Sequence, residues 1–311
     1  MSYDISNKLV IGIASSALFD LSDSDWVFRN EGEQPYRLFQ RAHEHDILPK
    51  GVAFPFIRRV LALNEVFPKV KPVEVILFSH NDPDTGQRVF NSIKDYGLNI
   101  TRGAFLSGKS PYTYLDAFNI VLFLSANSDD VRDAIASGHA AGTVLPSSIP
   151  EDLESDSHEL RVAFDFDGVI ADDSAENIFQ RQSLEDFQRS ESEKALQPHR
   201  AGPLQEFFIR LSQLQRLERA RKAEDPLYRQ HIRTAIITAR NAPSHERVVT
   251  TLRSWNVMTD ETFFLGGIEK SRVLDIFKPH IFFDDQMDHL KPSSGFIPSV
   301  HIPFGQINND I

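Results

Sequence analysis

Short apolar runs alternate with longer stretches of helical periodicity along the whole chain. The apolar runs have the length of buried strands and are Leu9–Ile13, Val73–Phe78, Ile120–Leu124, Leu160–Phe164, Thr234–Ile237 and Ile281–Phe283. Strands that alternate with helices form βαβ units, whose sheets are parallel. The pattern therefore predicts an α/β fold built on a Rossmann-like, largely parallel sheet.

A long internal repeat divides the chain. A shift of 159 residues places Ser79–Gly108 over Thr238–Gly267, and Leu115–Ser125 over Leu274–Asp284, without a gap. The identical pairs include Arg88/Arg247, Phe105/Phe264, Gly108/Gly267, Leu115/Leu274 and Asp116/Asp275. Shared apolar periodicity does not readily supply identical polar and glycine positions, so we predict a duplication. Its halves are residues 1–150 and 151–311, joined by a linker over 145–159 that is rich in proline, serine and acid.

The two halves differ in their acidic residues. In the C-terminal half, Asp165 and Asp167 follow one apolar strand, and Asp284 and Asp285 follow another. The best match in the N-terminal half puts Ala14 and Ser16 opposite the first pair, and Ser125 and Ala126 opposite the second. We therefore predict that the N-terminal half is a degenerate, catalytically silent copy.

Composition limits the function classes. The 311 residues include no cysteine, which excludes disulfides, zinc–thiolate sites and cysteine nucleophiles. The net charge of −11 argues against binding a nucleic acid polymer through its phosphates. The start of the chain does not look like a signal peptide, and the longest apolar runs are far shorter than a membrane span. We expect a soluble, cytoplasmic protein without a membrane partner.

Four groups of polar residues in the C-terminal half lie at predicted strand ends or in the loops that follow. They are Asp165-Phe166-Asp167, Thr238-Ala239-Arg240, Lys270 and Asp284-Asp285. In an open parallel sheet, ligands bind at the carboxyl ends of the strands. Alternation along an extended chain turns Asp165 and Asp167 to the same side, where a cation or a shared proton would relieve their repulsion.

These four motifs, in this order, resemble those of the haloacid dehalogenase-like phosphatase superfamily over about residues 160–302. The whole chain further resembles the cytosolic 5′-nucleotidase type I family. That likeness is carried by Gly51–Pro55, Phe78–Gly86, Thr238–Pro243 and Phe282–Met287. The resemblance implies a magnesium-dependent phosphomonoesterase that removes phosphate from nucleoside 5′-monophosphates.

The resemblance also implies roles for the catalytic residues. Asp165 would be the nucleophile that forms an aspartyl-phosphate, and Asp167 the general acid and base. Thr238 would donate to a phosphate oxygen, and Lys270 would neutralise charge on the phosphoryl group. Mg²⁺ would be held by the Asp165 carboxylate, the Asp167 carbonyl and the Asp284 carboxylate, with Asp285 orienting a ligand or a metal-bound water.

Substrate contacts are expected from the same loops and from an insertion. Gly168 would let the backbone approach the phosphate, Thr238 and Ala239 would face it, and Arg240 would either touch substrate or pair with a surface acid. Residues 172–230 would form a helical cap. Phe179, Phe207 and Phe208 either stack on the base or form the core of that cap.

Several alternatives remain open from the sequence. The mammalian family members have glycine where this chain has Phe166, which leaves the preferred base undecided. The protein could instead hydrolyse another small phosphate ester, or be a nucleotide-binding regulator with little turnover. A ligand site at His80–Asp82 of the silent half competes with a simple loop cap, and homo-oligomerisation is left open.

Overall fold

The computed structural model describes residues 3–147, 157–174, 184–305 and 308. The chain divides into two compact units, residues 1–139 and 140–311. The boundary lies before the predicted one at residue 150, because the strand Ala141–Val144 pairs antiparallel with Ser299–His301 of the second unit. Most of the predicted linker lies outside the described residues.

The first unit is a parallel α/β sandwich. Its strands are β1 (Leu9–Ala14), β2 (Val73–Ser79), β3 (Arg102–Phe105) and β4 (Leu122–Ser125), in the spatial order β3-β2-β1-β4. All three pairings are parallel. The described helices are α1 (Ser15–Leu18), α2 (Ser22–Glu31), α3 (Glu33–Ala42), α4 (Phe54–Val66), α5 (Gln87–Asp95) and α6 (Ser128–Ala136).

The second unit repeats this arrangement and extends it. Its strands are β5 (Ala141–Val144), β6 (Leu160–Phe164), β7 (Ile232–Thr238), β8 (Glu261–Phe264), β9 (Ile281–Asp284) and β10 (Ser299–His301), in the order β5-β10-β9-β6-β7-β8. Only the β5–β10 pairing is antiparallel among the described strands. The described helices are α7 (Leu184–Glu193), α8 (Gln205–Glu224), α9 (His245–Ser254), α10 (Lys270–Phe277) and α11 (Met287–Leu290).

Strand register in the two units agrees with the sequence repeat. Ile13 of β1 pairs with Leu77 and Leu124, and Phe164 of β6 pairs with Ile236 and Phe283. The shift of 159 residues relates Leu77 to Ile236 and Leu124 to Phe283. Residues 14 and 165 are therefore equivalent, as the alignment of the first strands predicts.

Side-chain hydrogen bonds recur at equivalent positions as well. Arg88 Nε donates to the Asp46 carbonyl at 2.8 Å, and Arg247 Nε donates to the Gln197 carbonyl at 2.9 Å. The backbone N–H of Leu48 donates to Ser92 Oγ, as that of His199 does to Thr251 Oγ1, both at 3.0 Å. These contacts extend the likeness of the two units from the strands to the loops.

Helix α8 belongs to the core of the second unit, which corrects the predicted extent of the cap. Phe207 and Phe208 on its first turns are buried, and their ring centroids lie 6.0 and 5.1 Å from that of Phe164 on the central strand β6. Large aromatic rings on one side of a helix are buried where the helix packs on a sheet. A cap can therefore comprise only the part of the insertion that precedes α8.

Candidate active site

The four sequence motifs meet at the carboxyl edge of β6, β7 and β9. Asp165 directly follows β6, and its backbone N–H donates to the carbonyl of Phe283 at 2.8 Å, which continues the strand pairing by one residue. Its side chain is buried, and Oδ1 accepts the N–H of Phe166 at 2.7 Å. The nucleophile predicted from the sequence is thus held in a fixed orientation.

Lys270 connects the first and fourth motifs. It begins helix α10, and its Nζ lies 2.7 Å from Asp165 Oδ2 and 2.7 Å from Asp284 Oδ2. Burial opposes the charge of the ammonium, but Asp165 and Asp284 outweigh burial and raise the pKa of Lys270. Because all three groups are buried, the pairs act at close range with little solvent screening.

Asp284 is fully engaged by protein partners. Besides Lys270 on Oδ2, its Oδ1 accepts the N–H of Gln286 at 2.9 Å and lies 3.3 Å from His289 Nδ1. Burial alone would raise the pKa of Asp284, but Lys270 and His289 together hold it below its usual value. Asp284 is therefore kept as a carboxylate by the protein itself.

Asp285 has a contrasting environment. It is buried, and its Oδ1 has no hydrogen-bond partner among the described residues. Burial, followed by the negative charges of Asp165 and Asp284, raises the pKa of Asp285 to about 9. A buried, unpaired carboxylate beside other acids is what a hard divalent cation stabilises.

Gly168 allows Asp285 to approach the first motif. Its φ of +70° is the left-handed conformation that glycine adopts without strain, and a Cβ there would lie 2.4 Å from Asp285 Oδ2. A side chain at residue 168 would therefore displace the carboxylate. The sequence analysis predicted that this glycine lets the backbone approach the phosphate. In the structure, the absence of a side chain at residue 168 also leaves room for the Asp285 carboxylate.

Donor atoms for a metal converge at this edge. Oxygen or nitrogen atoms of Asp165, Asp284 and His289 lie within 4.8 Å of one another. Since both oxygens of Asp284 already have partners, the unpaired Asp285 fits a cation better than Asp284 does. The residues present thus fit a magnesium ion, with the carboxylates of Asp165, Asp284 and the unpaired Asp285 as its candidate ligands.

Arg240 binds acids rather than an open surface. Its Nε and Nη2 donate to the two oxygens of Asp167, each at 2.7 Å, and its Nη1 donates to Glu191. The side chain is 3% exposed. Of the two alternatives left open by the sequence, the structure favours pairing with an acid, and the acids are a motif residue and a buried glutamate rather than surface groups.

Glu191 is the residue of this site that sequence reasoning missed. It lies on helix α7 with no exposed side-chain surface, it accepts from Arg240 and from Arg247 Nη1 at 2.7 Å, and its Oε2 lies 3.3 Å from His199 Nε2. Burial opposes ionisation, but His199 and the arginines outweigh it and hold the pKa of Glu191 far below its usual value. A single glutamate in a helix with many charged residues has no distinctive sequence pattern. Only its position in the internal repeat could have indicated that it belongs to this site.

The remaining motif residues differ in exposure. Thr238 ends β7 in a buried position, and its Oγ1 accepts the N–H of Arg240 at 3.2 Å, which leaves its proton free to donate. Ala239, the next residue, is exposed. Thr238 and Ala239 therefore remain candidates for phosphate contact.

Two of the aromatic residues that could stack on a base are buried in the protein interior instead. Phe207 and Phe208 lie against Phe164, and Phe207 also lies 5.9 Å from Phe283, so all of their faces are taken up by the protein interior. Because helix α8 packs on the sheet, the structure favours a core role for these two residues over base stacking. Phe179 lies outside the described residues.

The corresponding edge of the first unit carries no such acids. Ala14 takes the place of Asp165 and Ser125 that of Asp284, while Ser15 Oγ lies 3.3 Å from Ser79 Oγ. His80 pairs with Asp130 at 2.6 Å, and the hydrogen bond raises the pKa of His80. Hydroxyl groups and the His80–Asp130 pair thus lie at this edge, and the positions equivalent to Asp165 and Asp284 carry no acid.

Comparison with known proteins agrees with this geometry. A family model described as 5′-nucleotidase matches residues 1–309. The chain belongs to the 5′-nucleotidase family. It is 34% identical over 291 residues to human cytosolic 5′-nucleotidase 1B, which covers 92% of this chain and 47% of the human protein. The chain thus spans about half the length of this curated relative. No solved structure matches.

The helices were also compared with the requirements of a bilayer. Within the described residues, none combines the length and the apolar character needed to cross a membrane.

Proposed function

We propose that this protein is a magnesium-dependent 5′-nucleotidase that hydrolyses nucleoside 5′-monophosphates through an aspartyl-phosphate on Asp165. The observation that carries the proposal is the buried Lys270, which contacts both Asp165 and Asp284 at 2.7 Å. A cation placed on a nucleophilic carboxylate at a strand end suits attack on an anionic phosphate. The family match and the human relative's printed name supply the substrate class, and that name also supports a cytosolic location.

In the first step, an oxygen of Asp165 attacks phosphorus and the bond from phosphorus to O5′ breaks. Asp167 enters this step with a proton, which the second step restores, and gives it to O5′, so the nucleoside leaves as an alcohol. In the second step, water attacks the aspartyl-phosphate while Asp167 takes one of its protons, and inorganic phosphate leaves. Lys270 and the Thr238 hydroxyl bind the phosphoryl oxygens in both steps, since each can donate at this edge.

Mg²⁺ would be held by the carboxylates of Asp165 and Asp285 together with an oxygen of Asp167, while Asp284 holds Lys270. When bound, the ion offsets the repulsion between the carboxylates and the phosphate dianion. The raised pKa values of Asp165, about 7, and Asp285, about 9, fit this interpretation, because burial and the neighbouring acids raise both values despite the opposing charge of Lys270. A nearby cation favours the ionised form of each group.

We also propose that the first unit is a catalytically silent duplicate of the second. Equal strand order, equal register and the paired hydrogen bonds of Arg88 and Arg247 support a common origin. The missing acids at Ala14 and Ser125 support the loss of activity. A cap limited to the segment before helix α8 would cover the edge of the second unit.

Phosphate release tests the function. The protein is incubated with purine and pyrimidine nucleoside monophosphates and with sugar phosphates, with Mg²⁺ or with EDTA. We expect Mg²⁺-dependent release from nucleotides and none from Asp165→Asn, which should retain the wild-type circular dichroism. Release from sugar phosphates alone would support the other phosphatase activity. Nucleotide binding without release would support the regulator.

A further inference from the structure

We propose that Glu191 is a positioning residue for Asp167, through the guanidinium of Arg240. The proposal rests on the function proposed above, in which Asp167 moves the proton of the leaving group. Glu191 touches neither Asp165 nor Lys270 by any described contact, and its effect passes through one side chain. It lies on helix α7 in the insertion, so it also links that helix to the reacting groups.

The first step of the argument is the geometry of Arg240. Two parallel hydrogen bonds of 2.7 Å fix both oxygens of Asp167, which is a bidentate pair with a defined orientation. The position of the Asp167 carboxylate is therefore set by the position of the guanidinium. Whatever holds the guanidinium decides how well Asp167 is aligned with a leaving oxygen.

Glu191 holds the far side of that guanidinium. Arg240 Nη1 donates to Glu191 Oε2, while Oε1 accepts from Arg247 Nη1 at 2.7 Å. Arg247 is in turn fixed by its Nε, which donates to the Gln197 carbonyl at 2.9 Å. Two carboxylates and two guanidinium groups thus form one chain from the partly exposed Asp167 through buried side chains to the loop before α8.

Aromatic rings enclose the same guanidinium. The Cζ atom of Arg240 lies 5.5 Å from the ring centroids of Phe166 and of Phe187. Both phenylalanines are buried, and Phe187 lies on α7 one turn before Glu191. Phe166 therefore faces this network, so its side chain contributes to holding Arg240.

The silent unit provides an internal comparison. The shift of 151 residues that relates Leu48 to His199 places Gln40 opposite Glu191, and the shift of 159 places Asn81 opposite Arg240. Gln40 is buried like Glu191, and its Nε2 donates to the Tyr36 hydroxyl, which donates to Asn81 Oδ1 at 2.6 Å. The same helix and loop therefore meet in both units.

The comparison distinguishes contacts that the fold requires from contacts that the proposed reaction requires. In the first unit, neutral amides occupy the two positions that carry Glu191 and Arg240 in the second. The fold can thus join this helix to this loop without burying a charge there. A buried ion pair is costly to desolvate and often replaceable without loss of stability. Its presence only where the catalytic acids are present indicates a role in orienting them.

The experiment compares leaving groups. A nucleoside 5′-oxygen must be protonated as it departs, whereas p-nitrophenolate is stable without a proton. Single-turnover release of nucleoside from cytidine and adenosine monophosphates, and of p-nitrophenolate from its phosphate ester, is measured with excess enzyme and Mg²⁺. The variants are Glu191→Gln, Asp167→Asn and, as the matched control in the silent unit, Gln40→Leu.

For Glu191→Gln we expect nucleoside release to slow on the order of 10- to 100-fold, as for a displaced catalytic group, with a smaller change in KM. Release of p-nitrophenolate should slow much less. Gln40→Leu should match the wild type on both esters. If Glu191→Gln does not fold, the charge-balanced Glu191→Gln/Arg247→Met replaces it, and the same discrimination is expected because Arg240 still lacks its anchor.

Two results would overturn the inference alone. Unchanged nucleoside release in Glu191→Gln, with Asp167→Asn impaired, would show that Arg240 needs no anchor. An equal loss on both esters would show that Glu191 is only structural. Wild-type nucleoside release in Asp167→Asn is a different outcome, because it would remove the acid role of Asp167 and the proposed mechanism together with this inference.

Discussion

Replacing Asp285 by asparagine should stabilise the protein in the absence of metal. The carboxylate is 3% exposed, lies near Asp165 and Asp284, and has an unpaired Oδ1 among the described residues. Its pKa is raised from 3.8 to about 9. At pH 7 the folded state therefore holds a proton that the unfolded state has released, and this linkage costs about 4 kcal/mol of unfolding free energy.

The sign and the pH window follow from the same values. Below pH 3.8 both states are protonated and the cost vanishes, and it grows as the pH rises toward 9. An asparagine does not titrate, so Asp285→Asn should gain up to about 4 kcal/mol at pH 7 and only about 2 kcal/mol at pH 5. With EDTA present, this appears as a higher urea midpoint for the second unit.

Magnesium should narrow this difference at pH 7. At a concentration 100 times its dissociation constant, a ligand that binds only the folded state adds about 2.7 kcal/mol. The wild type should gain this amount, and Asp285→Asn should gain little because an amide is a poorer ligand for a hard cation.

The neighbouring variant Asp284→Asn is the matched control. It should lose about 3–5 kcal/mol without metal, since it breaks the buried pair with Lys270. If Asp285→Asn were destabilised in EDTA, or gained as much from Mg²⁺ as the wild type, the assignment of Asp285 to the metal would be refuted.

Two further predictions concern other parts of the chain. Phe207→Ala should cost about 3–5 kcal/mol as a core truncation while leaving KM for nucleotides unchanged, and a raised KM with unchanged stability would restore the stacking interpretation. In the first unit, Asp130 raises the pKa of His80, so the stability that this pair contributes is complete below about pH 6.5 and is lost as the pH rises through the folded-state pKa. His80→Gln should remove that pH dependence from the unfolding of the first unit, and an unchanged slope would contradict the assignment.

The sequence alone determined the α/β fold class and predicted most of the residues that meet at the candidate site. Buried strands are readable as apolar runs because every residue of β1, β2 and β6 is buried, and the acids that follow them appear where the apolar run ends. The internal repeat predicted the strand register, because residues that are equivalent in the repeat occupy equivalent pairing positions in the two units. Lys270 was found only because the family motif names it, as an isolated lysine has no periodic signal.

Only the tertiary structure showed which partner each acidic residue of the site contacts. Asp284 and Asp285 are adjacent in the chain and identical in chemistry, yet one accepts from Lys270 and the other lies unpaired against Gly168. Glu191 and Arg240 are in contact although 49 residues of sequence separate them. The sequence pattern of α8 predicts a helix, but it does not distinguish a helix that caps a site from one that packs on a sheet. Partner choice and burial depend on contacts between distant segments, which local periodicity does not encode.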